Sequence, residues 1–490
     1  MRKAFLVLIC GCAIGLAFAL PGQAEDVGKY LGKADFNFRG WYMMIGNRSE
    51  NIFDFEDTHA REDRAEWVFS RFRWWMDASF EGKYGGTIGL EWNWFWGQDA
   101  SSAFYNPATH TITFTRGWRG AGHGADLTDQ GRMKHAYVWF LVPNTPVKVT
   151  GGLQTFAIDP DYLMWGTQGD WWGVRVDTPV IKDILNLTVG WLKQDEGSDR
   201  LGNLRPLATK DPSDDTDAAY VLLTGNLLKW LNFGFYNKWQ HVGKHGYDSF
   251  DPGEITLPVL GGRGNLDAGA GDYVWHGLWI DANPGIFYSR FHFNYFWGDM
   301  KDDHFNDVDP RGWAFVGRAG VKLGPFSVGL RGWYFTGNDD DYNRATRTGD
   351  WKRWTGGNDT FFAPFEIFYM GERQWQYASG MSQNPGGTAA LCLESSWQAT
   401  KKLSFHFLGG YIWFTEKYDK FALTDNGKKG AGFEADLRAT YKIYDNLSLD
   451  LVGAYFIADK GLDHFSVADP TRRVGADDAY EVFWRLVFEF

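Results

Sequence analysis

Hydrophobic and polar residues alternate along this chain with a period of two. Ile88, Leu90, Trp92, Trp94 and Trp96 fall on one side, with Gly89, Glu91 and Asn93 between them. Successive side chains of a strand point to opposite faces, so the segment reads as a strand with one apolar and one polar face. The pattern returns at Phe287, Phe291, Phe293, Tyr295 and Trp297 against Tyr288, Arg290, His292 and Asn294. It returns again at Phe433, Ala435, Leu437, Ala439 and Tyr441 against Glu434, Asp436, Arg438, Thr440 and Lys442. These segments run for roughly 10–14 residues, longer than the usual 5–6 of globular strands. A tilted strand needs about 9–11 residues to cross a membrane.

The alternation predicts strands at 34–46, 66–81, 86–97, 132–142, 147–156, 171–178, 186–195, 217–226, 231–242, 272–282, 286–298, 312–323, 326–337, 388–398, 403–415, 430–443, 447–458 and 479–490. The aromatic stretch 361–379 reads as a further hairpin or as loop, so counts of sixteen and twenty stay open beside eighteen. The connections alternate as well. Tight ones carry turn chemistry, as in Asn283-Pro284-Gly285 and Leu323-Gly324-Pro325, where proline presets φ and glycine accepts positive φ. Long ones, such as 98–131 and 338–386, are polar and acidic. Short turns on one rim and long loops on the other describe an all-β fold, a transmembrane antiparallel up-and-down β-barrel of about eighteen strands.

Composition agrees with this division of faces. The chain has 490 residues, 18% of them aromatic, yet its mean hydropathy is -0.37. Beyond the N-terminus no apolar run is long enough for a helical span, which takes about 20 residues. Trp and Tyr gather near predicted strand ends, among them Trp41, Tyr42, Trp297, Trp313, Tyr411 and Trp413. Their amphipathic rings suit the lipid–water interface, so these positions predict two aromatic girdles. The N-terminus itself reads as a secretory signal. Arg2 and Lys3 precede the apolar Ala4 to Leu20, and Gly22-Gln23-Ala24 offers small residues for cleavage after Ala24. The expected organisation is a signal peptide, 1–24, and a barrel, 25–490, bound for a bacterial outer membrane.

Cleavage leaves Cys392 as the sole cysteine, which excludes an intramolecular disulfide framework. No metal site or cofactor is expected, because no Cys/His cluster has zinc-site spacing and no haem-attachment motif occurs. The net charge of -12 argues against nucleic acid as a partner. No Gly-x-Ser-x-Gly elbow or His-Glu-x-x-His pair is present, so an enzyme is not expected. The acidic runs 299–303 and 338–341 suit a hard cation only loosely, and solvated loop is the simpler reading.

The last strand, Tyr480 to Phe490, resembles the C-terminal signature of outer-membrane barrels. The resemblance implies that Val482, Trp484, Leu486, Phe488 and Phe490 form the signal read by the barrel-assembly machinery. The stretch Gly432 to Asp450 resembles the penultimate hairpin of general porins and of alginate-export-type barrels. That likeness implies a porin in contact with outer-membrane lipid, passing small hydrophilic solutes or ions through a water-filled lumen. A selective channel for anionic sugars or polysaccharide, or a non-conducting structural barrel, stays open beside it. A homotrimer is implied only by analogy.

Charges in the middle of a spanning strand are costly against lipid and should point inward. The expected lumen residues are Arg71, Arg73, Arg175, Arg290, Arg318, Arg331, Arg438 and Arg485, with Glu91, Glu434 and Asp436. They form either a transverse field that orients solutes or ordinary cross-strand pairs. In porin-like barrels the loop after the fifth strand folds inward. Here that is 157–170, and the expectation is that Asp159, Asp161 and Asp170 face Arg71, Arg73 and Arg175.

Overall fold

The computed structural model describes residues 34–51, 64–96, 102–106, 111–115, 131–161, 163, 170–196, 215–242, 271–300, 309, 311–337, 364–368, 387–416, 428–465 and 473–490. The first strands are β1 (Ala34–Glu50), β2 (Arg64–Phe80) and β3 (Tyr84–Phe95), followed by a small hairpin, β4 (Ser102–Asn106) and β5 (Thr111–Thr115). Next come β6 (Gly131–Leu141), β7 (Lys148–Thr155), β8 (Asp170–Ile181), β9 (Leu185–Glu196), β10 (Asp215–Leu228) and β11 (Leu231–Val242). They are followed by β12 (Gly271–Ala282), β13 (Phe287–Met300), β14 (Arg311–Leu323), β15 (Phe326–Phe335), β16 (Thr388–Gln398) and β17 (Leu403–Phe414). The chain ends with β18 (Gly430–Tyr444), β19 (Leu447–Ala458), the two-residue strands β20 (His464–Phe465) and β21 (Arg473–Val474), and β22 (Ala479–Glu489).

Eighteen of these strands form one antiparallel sheet, each paired with its sequence neighbours in the ring. The sheet closes on itself: β1 pairs with β22 from Trp41↔Glu489 to Glu50↔Tyr480. The predicted eighteen strands all exist, including the short predictions 171–178 and 217–226, which lie within β8 and β10. The predicted loop 98–131 carries the β4–β5 hairpin. In the stretch 361–379 only 364–368 is described, and it is bends and turn, not strand. Of the acidic run 299–303 only Asp299 and Met300 are described, at the end of β13, and 338–341 and the N-terminal segment with its cleavage point lie outside the described residues.

The outer wall carries the apolar half of the alternation. Phe287, Phe291, Phe293, Tyr295 and Trp297 are exposed in a line along β13, and Leu391, Leu393 and Trp397 along β16. Bare apolar surface on this scale is stable only against lipid. Rings stack across neighbouring strands near the rims, as Trp313 does on Tyr334 with centroids 4.7 Å apart and Phe326 on Trp397 at 5.6 Å. Trp41 does not join the girdle. It lies on the inner face, in register with Arg73, whose guanidinium stands 5.0 Å from its ring. Its place near a strand end told nothing about its face, whereas the parity of β1 did.

Tight turns close one rim. Gly285 and Gly324 take φ of +65° and +63°, and a Cβ at either would meet open space. The requirement there is backbone conformation rather than room. Phe490 ends the chain on this rim, exchanging two backbone hydrogen bonds with Gly40, of 2.8 and 2.9 Å. A Cβ on Gly40 would sit 2.5 Å from the Phe490 ring, so the close approach at the seam requires glycine.

Candidate functional site: the inner wall and two inward segments

The polar half of the alternation faces inward, and much of it is covered. β7 stops after eight residues, where its neighbours run for eleven or twelve. Its chain leaves the wall at Phe156, and Phe156, Ile158 and Leu163 are all buried. Phe156 meets Tyr220 of β10 edge-on, with centroids 6.1 Å apart. The tip reaches β13, where His292 Nδ1 donates to Asp161 Oδ2 at 3.0 Å and Arg290 Nη1 to Asp161 Oδ1 at 3.4 Å. His292 is held from behind: Asn294 Nδ2 donates to the Tyr236 hydroxyl at 2.6 Å, and Tyr236 bonds His292 Nε2 at 2.7 Å. The Asp161 carboxylate can only accept, so Nδ1 carries the proton, and the Nε2 of the neutral ring accepts from the Tyr236 hydroxyl. Burial raises the Asp161 pKa, but the His292 hydrogen bond and the charges of Arg290 and Arg331 outweigh it and hold the group below its ordinary value.

A second inward segment comes from the β15–β16 connection. The backbone N–H of Ile367 donates to Glu434 Oε1 at 2.6 Å, that of Phe368 to Glu434 Oε2 at 2.9 Å, and that of Glu366 to Asp436 Oδ2 at 3.1 Å. Glu366 accepts in turn from Arg438 at 3.0 Å. Phe365 packs against Trp333 and Phe368 against Phe456, with centroids 5.8 and 5.7 Å apart. The apolar residues of both segments belong to one buried cluster that runs along the inner wall from β9 to β22. The core of this molecule therefore lies inside the ring, where the apolar residues of the two loops pack on inward strand side chains.

The predicted lumen residues all stand on inward-facing register positions, yet most are neutralised beside the strand that carries them. Arg73 pairs with Glu91 of β3, which is fully buried, and Arg71 donates to Asn93 at 2.5 Å. Arg175 pairs with Asp177 two residues along its own strand at 2.9 Å. Arg485 of β22 holds Asp450 of β19 through two bonds of 2.5 and 2.8 Å. Arg290 holds Asp281 of β12 at 2.5 and 2.7 Å. Glu434 and Asp436 are engaged by the backbone of 366–368.

The three loop aspartates do not face Arg71, Arg73 and Arg175. Asp159 shapes its own loop, accepting from the backbone N–H of Asp161 at 3.1 Å and of Leu163 at 3.0 Å. Asp170 anchors the loop's far end to Lys134, to His135 at 3.2 Å and to Thr155 at 2.6 Å. Asp161 reaches an arginine, and that is Arg290. The expected partners sit on β2 and β8, close to the loop's root, whereas the loop extends six strands round the ring.

One group of arginines differs from the rest. Arg290, Arg318 and Arg331 occupy the same register row on β13, β14 and β15. Arg290 shares Asp281 and Asp161, and Arg331 lies 4.0 Å from Glu394. Arg318, between them, has no ion-pair partner among the described residues. Three guanidiniums side by side make a positive strip, and the middle one has no carboxylate to neutralise it. Among the described residues no group of His, Cys, Asp and Glu is arranged to hold a metal.

No protein-family model and no curated protein matches this chain. Solved structures do. OccAB1 of Acinetobacter baumannii superposes with a TM-score of 0.53 at 13% identity, covering 93% of this chain and 96% of that one. OccK3 (OpdO) of Pseudomonas aeruginosa gives 0.51 at 11% identity, covering 95% and 98%. OccK2 (OpdF) of Pseudomonas aeruginosa, solved in complex with glucuronate, gives 0.51 at 11% identity, covering 93% and 96%. This chain has the closed barrel fold of these Occ/OprD outer-membrane porins.

Proposed function

We propose that this protein is an outer-membrane channel that passes small hydrophilic solutes and favours anionic ones. The observation that carries the reading is the in-register row Arg290, Arg318 and Arg331, whose middle member has no ion-pair partner among the described residues. A strip of fixed positive charge on an inner wall attracts anions and sets the preference of the narrowest section. Two inward segments reduce the open cross-section beside this row, which favours a selective passage over a wide, indifferent one. The fold shared with Occ/OprD porins supports the location, and so does the signal-like N-terminus with its cleavage point after Ala24. One structure of that fold was solved with glucuronate, an anionic sugar. The fold likeness is to channels, and His135 and His292 of the inner wall are engaged in the clamps that hold the first inward loop, in keeping with a transport role and no catalysis.

The test is electrical. The mature protein is reconstituted in a planar bilayer under a KCl gradient. Discrete ohmic steps with an anion-selective reversal potential are the expected result, and Arg318→Glu moves that potential towards cation selectivity. Absence of conductance from a heat-modifiable, folded barrel overturns the channel reading. An unchanged reversal potential in Arg318→Glu overturns the role given to the arginine row.

A further inference from the structure

The apolar belt of the outer wall does not sit at one height round the ring. One residue in from the long-loop ends of β11 and β12 stand His241 and Asp272, and His241 Nδ1 donates to Asp272 Oδ1 at 3.1 Å. Their neighbours in the row, Lys193 of β9 and Asp217 of β10, pair at 3.5 Å. All four share the outer face with the exposed Trp191, Val221 and Phe235. Two outward positions deeper, Asn237 and His276 are joined at 2.7 Å, and Trp297 donates to His276 Nε2 at 3.1 Å. The residues in the same place on β17 and β19, one in from the long-loop end, are Trp413 and Ile457. Hydrocarbon accepts Ile457 at little cost, whereas charged groups and imidazole belong in the polar layer.

The tight-turn rim shows the opposite order. β8 ends in Val180-Ile181 and β10 in Leu227-Leu228, all exposed. The turn after β10 is Lys229-Trp230, and the turn after β8 adds exposed Ile184 beside Lys182 and Asp183. Near their ends β16 and β18 carry the rings of Trp397 and Tyr444 instead, and the turns beyond them hold exposed Lys401, Lys402, Asp445 and Asn446. Aliphatic side chains seek hydrocarbon, and Trp and Tyr rings mark its boundary with water. That boundary therefore passes through the turns on β8–β11, at Trp230, and through the strand ends on β16–β19.

Both rims report one displacement: the belt lies towards the tight turns on β8–β12 and towards the long loops on β16–β19. β10 and β18 stand eight strands apart in the ring of eighteen, so the two sectors face each other across it. One outward position is roughly 5 Å along the barrel axis for strands inclined by about 40°. A belt displaced by one or two positions across a ring about 35 Å wide is inclined by roughly 10°. We infer that the barrel leans in the bilayer, so that Leu228 and the turns of β8–β11 enter the lipid of the leaflet at the tight-turn rim, while the turns of β16–β19 stand in water. Lipid is the occupant of this rim because the patch continues the lipid-facing wall of β10 from Val221 to Leu228. Lys229 can lay its stem on that surface and hold its ammonium at the phosphate headgroups. The inference concerns the outer wall and is independent of the solute that passes.

The test measures depth at four points. Leu228→Cys, Asn446→Cys, His241→Cys and Ile457→Cys are made singly in the mature protein with Cys392→Ala, and each is labelled with bimane. The barrels are reconstituted in phosphatidylcholine vesicles with or without bromine on the acyl chains, and iodide is the quencher from water. Leu228 and Ile457 are expected to lose fluorescence roughly twofold or more in brominated lipid and to resist iodide. Asn446 and His241 are expected to be quenched by iodide and little by brominated lipid. Equal quenching of Leu228 and Asn446, together with equal quenching of His241 and Ile457, means an upright barrel and overturns the inference. A Leu228 probe reached by iodide overturns it as well. One reached by neither quencher assigns the patch to a protein contact, such as a second copy of this chain, and overturns the lipid assignment. Heat-modifiable mobility verifies that each labelled variant is folded.

Discussion

Removing the Asp161 carboxylate tests how the first inward segment is held. Asp161→Ala deletes a 3.0 Å bond from the buried His292 and a 3.4 Å contact from Arg290. A hydrogen bond to a charged group contributes about 1.5–3 kcal/mol. The Arg290 contact is long, and Arg290 keeps Asp281, so it adds less than about 1 kcal/mol. The loss at the tip is then about 2–4 kcal/mol. Against it stand Phe156, Ile158 and Leu163, all buried, and each such side chain contributes about 1.5–3 kcal/mol by leaving water. Their sum exceeds the loss, so the segment stays inside in Asp161→Ala. The expected result is a folded barrel of lower thermal stability, with single-channel conductance close to wild type. The double variant Asp161→Ala with Leu163→Ala removes a second anchor of comparable size. It is expected to give larger or noisier conductance, and protease sensitivity within 156–169. If Asp161→Ala alone produced the conductance and cleavage of the double variant, apolar burial would not be what holds the loop, and the reasoning would fail.

The same clamp predicts a pH response. Asp161 is held below its ordinary 3.8, so its contribution is complete above that value and is lost only as pH falls through the lowered one. Conductance is therefore expected to show no titration assignable to this loop between pH 5 and 8, and such a titration that vanishes in Asp161→Ala would refute the assignment. Glu434→Ala leaves the amides of Ile367 and Phe368 without their acceptor, a loss of about 1–3 kcal/mol for each buried donor. Limited proteolysis is expected to cut near 364–368 in this variant and not in wild type. Gly40→Val drives a side chain into the Phe490 ring. It is expected to lower the yield of heat-modifiable barrel, with Gly40→Ala affected less, and equal yields of both variants and wild type would show that the seam tolerates bulk.

The sequence revealed the wall more fully than its contents, for a physical reason. A strand between lipid and lumen obeys a two-residue period along its whole length, so face and span could be read from β13 or β18 without knowing any partner. Arg290, Arg318 and Arg331 could be assigned to the inside for that reason. Their common row could not, because it depends on the lengths of the turns between three strands. The clamps were less legible still. Asp161 meets residues about 130 positions away, and nothing local to Asp159, Asp161 or Asp170 tells which of them reaches across. The aromatic stretch 361–379 was open between hairpin and loop because its apolar residues are as dense as those of the wall. Phe365, Ile367 and Phe368 in fact point into the ring, where a loop can bury apolar side chains as strands do. A cue existed at Glu434 and Asp436: two carboxylates on the inner face of one strand, flanking Ala435, require donors, and β17 opposite them offers only Leu408 and Gly410.

Closure of the ring has a topological consequence. β1 holds β2 along one edge and β22 along the other, so the pairing offsets between successive strands must add, round the circle, to one fixed total. An open sheet absorbs a one-residue deletion by letting its last strand slide. A ring has no last strand, and a slide there would bring the inward parity of one strand beside the outward parity of its neighbour. Single-residue insertions or deletions within a spanning strand are therefore tolerated only where an irregularity already takes up an extra residue. The wall has such places at the tight-turn rim, between Asn226 and Leu228, between Lys442 and Tyr444 and between Pro179 and Ile181, towards the long-loop rim, at Thr216/Asp217 and Ile412/Trp413, and in mid-strand, at Gly89/Leu90. Length variation in this molecule is confined to these places and to the long loops, and the rest of the wall is fixed in count as well as in kind.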